Sequence, residues 1–297
     1  MKQLFYLAQW FIRARFFGRR APMQSVLFIS DRCNLSCKHC SVYNHANPIS
    51  KTYEQIREEL KYCYSIGSRF VDFEGGEPFL WRDGDKTVDD LCDLARELGF
   101  FSCTITTNAQ RPFPNSHADS LWVSLDGIGE YHEAVRGAGT FARLEENIAT
   151  CGHKALSVAM SINKLNIDSV PQVLEYVRNS PYIKSISINF HTPFPGSEQL
   201  MLSQQQREQI IDTIIDYKRR GYPIMNTKAG LRRMKDLNFK KRCWITNYVL
   251  TDGSRHPQPV CAEGGGCEHC GFSMAGEMSA LFNFCPETIF AGLKLRV

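Results

Sequence analysis

The chain has 297 residues, 43% of them apolar and 22% charged, and 35 basic against 31 acidic side chains leave a net charge of +4. That length suits one large α/β domain with an extension, has ample material for a core, and contains no low-complexity tract or internal repeat. Lys2, Arg13, Arg15, Arg19 and Arg20 put five positive charges and no acid into the first twenty residues. The rest of the chain is left near neutral, which reads against a nucleic-acid-binding surface.

Residues 1–22 read as a basic amphipathic helix, with Leu4, Phe5, Leu7, Ala8, Phe11 and Ile12 spaced mostly onto one helical face. Two readings stand for it. Such a helix can lie on an anionic membrane surface and bring the protein to an apolar substrate, or it can cover the open bottom of a barrel or form a dimer contact. The apolar stretch is short and most of the charge follows it, unlike a secretory signal. No segment approaches the ~20 apolar residues that span a bilayer. The 12 cysteines, clustered and without such a signal, fit a reducing cytoplasmic compartment and metal ligation better than disulfides.

From Gln24 onward strands and helices alternate. Strands are expected at Ser25–Ser30, Phe70–Glu74, Phe101–Thr106, Leu121–Leu125, Leu156–Ile162 and Ile183–Phe190. Helices are expected over 52–66, 87–98, 141–151, 170–179 and 203–220, with Cys63, Cys92 and Cys103 in the core. Pro112 and Pro114 leave little room for a helix between the third and fourth strands. The pattern predicts a partial (β/α)6 barrel over 23–222 and a small irregular cysteine-rich extension over 223–297. Parallel βα units place their site at the C-terminal strand ends. There the loop after the first strand would meet Gly75–Pro78, Asn108, Asp126, Asn163 and His191.

That first loop holds Cys33, Cys37 and Cys40, spaced C-x3-C-x2-C. Three thiolates on one short loop can hold three corners of a cubane [4Fe-4S] cluster, whose usual complement is four cysteines. With no fourth ligand nearby, one iron stays open to a chelating small molecule. Zinc normally takes four closed ligands and fits this spacing poorly; the bland alternative is a chance cluster of structural thiols. Paired glycines at the end of the second strand, Gly75 and Gly76, allow a ligand close to the backbone, and Glu77 adds a carboxylate.

Cys33, Cys37 and Cys40 resemble the signature of the radical S-adenosylmethionine (SAM) superfamily, and Gly75-Gly76-Glu77-Pro78 resembles its SAM-binding GGEP segment. The family usually has an aromatic residue before the last cysteine; here it is His39, whose imidazole can also stack on adenine. The resemblance implies that SAM chelates the open iron, that Glu77 and the Gly75–Gly76 backbone orient its methionine end, and that a reduced cluster cleaves it to a 5′-deoxyadenosyl radical. Ser124 to Gly127, His132 and Arg136-Gly137 resemble the fourth-strand region of peptide maturases and of the molybdenum-cofactor GTP cyclase. This adds Ser124, Asp126 and Arg136 as SAM-binding groups. Ser161 and Asn163 stand where the family contacts the ribose or carboxylate, although both residue types also favour plain strand-end turns.

Five more cysteines follow: Cys243, Cys261, Cys267, Cys270 and Cys285, with Cys267 and Cys270 a C-x2-C pair beside Gly264–Gly266. Periodicity fades here, so metal rather than a conventional core is expected to hold the segment. Cys243, Cys261, Cys267 and Cys270 form the expected ligand set for an auxiliary [4Fe-4S] cluster. Zinc, a histidine ligand (His256 or His269) and Cys285 remain alternatives. The region resembles that of adenosylhopene synthase and similar radical SAM proteins of lipid metabolism, and also the short auxiliary-cluster extensions of peptide-modifying relatives. The resemblance implies an enzyme acting on a lipid or isoprenoid, or alternatively on a peptide or other small molecule, with flavodoxin or ferredoxin as electron donor. A non-enzymatic iron-sulfur protein or a zinc-stabilised binding module are the rival classes.

Overall fold

A computed structural model describes residues 2–40, 48–259, 261 and 266–296. The strands are β1 (Gln24–Ser30), β2 (Phe70–Gly75), β3 (Ser102–Thr107), β4 (Ser120–Ser124), β5 (Leu156–Ile162), β6 (Ile186–Phe190), β7 (Thr246–Val249) and β8 (Arg255–His256). The helices are α1 (Lys2–Phe16), α2 (Tyr53–Ser65), α3 (Val88–Glu97), α4 (Glu130–Arg136), α5 (Thr140–Thr150), α6 (Val170–Asn179), α7 (Gln204–Arg219), α8 (Lys228–Asp236), α9 (Ser273–Phe282) and α10 (Pro286–Arg296). One sheet runs β6-β5-β4-β3-β2-β1-β7-β8, parallel except for the β7–β8 hairpin. Its first six strands and their helices are the expected partial barrel.

Local chemistry sets the helix starts. Thr52, Thr87 and Ser203 each close a capping box with the side chain three residues on, opening α2, α3 and α7. Between β3 and β4 the chain makes no helix; Phe113, between the two prolines, is buried and stacks on Phe79 at 5.4 Å. Cys63, Cys92 and Cys103 are fully buried, as expected.

The strands alternate more sharply than parallel strands usually do. In β2, Val71 and Phe73 are fully buried in the core that includes Ile56, Leu60 and Leu91, while Asp72 and Glu74 on the other face are only half-buried. The same alternation makes Trp122 and Ser124 of β4 and Ser187 and Asn189 of β6 half-buried. These half-buried residues lie on the face opposite the apolar core. The sheet therefore turns apolar side chains to the helices and largely polar ones to its inner face.

The C-terminal segment departs from expectation. Instead of standing outside the domain as an irregular extension, it supplies β7, which pairs with β1 in parallel from Gln24↔Thr246 to Leu27↔Val249. It also supplies α9, which crosses α8 so closely that a Cβ on Gly276 would meet Gly230 O at 2.6 Å. Trp10, Met23, Phe70, Ile245 and Phe282 form a second apolar cluster. A conventional core thus holds much of this segment.

α1 covers the bottom of the sheet. Tyr6 Oη donates to Gly67 O (2.8 Å) and Trp10 Nε1 to Ala21 O (2.8 Å), both acceptors lying just before strands. The apolar residues do not share one buried face. Leu7, Trp10 and Phe11 pack inward, and Leu4, Phe5 and Ile12 remain exposed. Among the described residues, no helix is long and apolar enough to cross a membrane.

Candidate active site at the C-terminal strand ends

The loop after β1 is clipped to β2 by backbone. Gly76 N donates to Ser30 O (2.7 Å) and Glu77 N to Arg32 O (2.8 Å). A Cβ on Gly76 would stand 2.1 Å from Arg32 O, and Gly75 has φ +137°, where a side chain is strained. These two glycines therefore let the cysteine loop lie directly on the strand end.

The three thiols of that loop lie within electrostatic range of one another. N–H groups approach their sulfurs: Leu35 N (3.5 Å) and Asn108 Nδ2 (3.7 Å) at Cys33, and Arg136 Nη1 (3.9 Å) at Cys37. Burial raises the Cys37 thiol to about 11, against the pull of Arg136. Metal binding must displace those protons, and the nearby donors suit the thiolates it leaves. Among the described residues, no three His, Cys, Asp or Glu side chains close on a single point as the ligands of one metal ion do.

Glu77 is buried at 1% exposure and joins the ends of β2 and β3. It accepts from Thr107 Oγ1 (2.8 Å) and Phe79 N (3.1 Å) on Oε1, and from Asn108 N (2.8 Å) on Oε2. Three of its roughly four acceptor directions are thus used. Asp126 is fully buried too. Its Oδ1 accepts from Ser161 N (2.8 Å), and its Oδ2 meets Arg136 Nε (2.7 Å) and His39 Nε2 (3.4 Å). Burial opposes its charge, and Arg136 and then His39 outweigh that to hold its pKa below the usual carboxylate range. Asp126 thereby fixes Arg136 and His39 at the strand end. Asn163, fully buried, accepts from Leu165 N (2.9 Å) and donates to Ser161 O (3.2 Å), a strand-end turn. His191 closes its own loop through Ser197, Nε2 to O at 3.1 Å. Ser124 and Ser161 stay half-buried at the strand ends.

His132 is fully buried, and its Nδ1 accepts from Asp126 N (3.2 Å). Burial, helped by Arg136, lowers its pKa to about 4. An unfolded imidazole near 6.5 takes a proton that the folded one refuses. Stability present above pH 6.5 is therefore lost as pH falls toward 4, by up to about 3 kcal/mol. Chemical denaturation across that window should show a fall in the wild type that is shallower in His132→Leu; equal slopes would remove His132 from the account.

Sequence reading missed the inner face. Asp72 is engaged by Gln24 Nε2, and Glu74 is raised to about 7 by burial and then by Asp72, against a hydrogen bond from Thr106. Tyr248 of β7 reaches the same place, its hydroxyl pushed up by burial and then by Glu74. The signal available was the acid at every second position of Phe-Val-Asp-Phe-Glu.

Tyr248 also lines a recess with Cys243, Cys261, Cys267 and Cys270. The thiol of Cys243 is raised to about 11 by burial and then by Cys270, Cys267 and Cys261, so these four sit within range of one another. Cys285, His256 and His269 do not line the recess. Gly264 and Gly265 lie outside the described residues.

Residues 27–157 match the sequence profile of the Radical SAM superfamily. Fe-coproporphyrin III synthase of Methanosarcina barkeri is 29% identical over 214 residues, 65% of this chain and 51% of that one. Residues 27–157 carry a domain of the radical SAM superfamily. Enzyme class, a [4Fe-4S] cluster and SAM come with that domain. Mycofactocin maturase MftC of Mycobacterium ulcerans is 28% identical over 162 residues, 50% of this chain and 42% of that one. The chain thus spans about half the length of these two curated relatives. SuiB of Streptococcus suis, crystallised with S-adenosylmethionine, superposes with a TM-score of 0.65 over 82% of this chain and 61% of its own, at 16% identity. That likeness establishes the radical SAM fold alone. The three thiols, with N–H donors at the sulfurs of Cys33 and Cys37, on a loop that a Cβ at Gly76 would displace, fit the superfamily's cluster.

Proposed function

We propose that this radical SAM enzyme modifies a polar substrate, a peptide or a hydrogen-bonding small molecule, seated on the inner face of the sheet. When bound, the cluster at Cys33, Cys37 and Cys40 and SAM supply reductive cleavage of SAM to a 5′-deoxyadenosyl radical. The observation that carries the substrate reading is the alternation that leaves Asp72, Glu74, Trp122 and Ser124 half-buried on the strand face opposite the apolar core.

The protein's own groups divide the work. The backbone of Gly75 and Gly76, with Pro78, leaves room beside the loop, and Glu77 locks the β2 and β3 ends that flank it. Arg136, held by Asp126, presents a fixed positive charge beside Cys37, suited to a carboxylate. Ser124 and Ser161 offer hydroxyls at neighbouring strand ends. Asp72 and Glu74 suit a cationic or N–H-rich part of the substrate. Cys243, Cys261, Cys267 and Cys270 hold a second [4Fe-4S] cluster, and Tyr248 stands between it and the inner face. Electrons come from a small carrier protein of the flavodoxin or ferredoxin kind. The coproporphyrin and mycofactocin named for the relatives support a polar substrate over an isoprenoid.

The test is anaerobic: the loaded enzyme, SAM and reductant, with 5′-deoxyadenosine as readout. Peptide or polar-metabolite fractions should stimulate its release, and Asp72→Asn/Glu74→Gln should lose that stimulation while keeping the unstimulated rate. Stimulation by lipid fractions alone would overturn the polar reading, and absence of 5′-deoxyadenosine would overturn the chemistry.

A further inference from the structure

The outward side of α1 carries large apolar side chains beside its cations. Away from Trp10 it presents Leu4, Phe5, Ile12 and Phe16, exposed by 43%, 71%, 47% and 61%, and Phe17 follows at 71%. Large apolar side chains clustered on a surface mark an interaction site, and those of α1 are left uncovered among the described residues.

The C-terminal helix widens the same surface. Phe284 adopts a left-handed φ of +56°, unfavourable for a bulky residue, yet its ring remains 45% exposed. It meets Phe11 and Phe16, and the Arg15 guanidinium lies 5.2 Å from its centroid. Beyond it, α10 packs beside α1 and exposes Phe290 by 64%.

Cations rim these rings. Lys2, Arg13, Arg15, Arg19 and Arg20 are all exposed, and no acid occurs among the first twenty residues. A second basic group adjoins them: Arg232, Arg233, Lys240 and Arg242 line one recess with Asn283. The two groups meet at Phe282, whose carbonyl accepts from Arg15 Nε (3.2 Å) and whose ring lies 4.6 Å beneath Arg242.

We propose that α1, the turn at Phe284 with α10, and the Arg232–Arg242 segment form one platform that docks on an anionic bilayer. Aromatic rings enter the interfacial layer and guanidinium groups meet lipid phosphates. α1 lies at the N-terminal ends of β1 to β3 and the cysteine loop at their C-terminal ends, so the docked enzyme holds its site away from the lipid. Docking does not depend on the proposed chemistry; it fixes how that site is presented.

The experiment uses the full, anaerobically loaded chain with vesicles of phosphatidylcholine, alone or mixed with phosphatidylglycerol. Sedimentation with the mixed vesicles is expected. It should weaken by roughly tenfold or more in Phe5→Ser/Phe16→Ser/Phe290→Ser and in Arg13→Gln/Arg15→Gln/Arg19→Gln/Arg20→Gln, with SAM cleavage retained in both. Hydrogen exchange on the vesicles should slow in α1 and α10 and stay unchanged over 192–197. Wild-type protein left in the supernatant with both vesicles would overturn the proposal, as would slowing confined to 192–197. A soluble dimer that the serine variant splits into monomers would assign the platform to a second copy instead.

Discussion

Cys33→Ala/Cys37→Ala/Cys40→Ala is expected to abolish SAM cleavage and to lower the iron of the reconstituted enzyme from about eight to about four per chain. The three thiols share one loop, so their loss removes one whole cluster. The C-terminal four sit in a separate recess, beside a strand that pairs with the far edge of β1. The remaining iron should retain the visible absorption and reduced-state magnetic signature of a cubane cluster. Iron falling from about four to none would leave the C-terminal recess without a cluster, and the proposed role of Cys243, Cys261, Cys267 and Cys270 would go with it.

Gly76→Ala should come close to the same phenotype with every cysteine intact. The new Cβ would stand 2.1 Å from Arg32 O and 2.4 Å from Arg32 C, backbone atoms that cannot rotate aside. Relief requires lifting the loop from β2, which breaks the Glu77 N to Arg32 O bond and shifts the position of Cys33. Iron should again fall to about four, with SAM cleavage down by at least ~100-fold, since misplacement of an ångström costs that much. Gly84→Ala is the control: φ is +59°, but nothing lies within 4 Å, so the expected cost is about 1 kcal/mol of stability with full iron. Equal iron in Gly76→Ala and wild type would show that the loop tolerates the displacement.

The catalytic end was legible because chemistry fixed it locally. Three cysteines in eight residues and two glycines at a strand end admit few arrangements. The strand-helix alternation placed both motifs on one edge. At Asp126 and Asn163 the sequence shows a polar residue at a strand end but not which neighbours use its hydrogen bonds. Asp72 and Glu74 were passed over because parallel strands are expected to be apolar on both faces, whereas one face of β2 is polar and half-buried. The C-terminal region was the least legible. β7 has four residues, and its identity as a strand depends on pairing with β1, more than two hundred positions earlier. α1 misled through geometry: its apolar residues span an arc too wide for one packing face, and only the docked helix shows which part is left outside.

The same pairing has a consequence for how the molecule is born. β1 leaves the ribosome more than two hundred residues before the partner for its outer edge. At typical synthesis speeds that edge waits roughly 10–40 s, with its amide and carbonyl groups open to any passing strand. The cysteine loop continues directly from this strand, so the nascent chain is exposed to mispairing and oxidation at one place and time. Cells making this protein should gain more active enzyme from slower growth, chaperone supply and oxygen exclusion during synthesis than from the same measures after release.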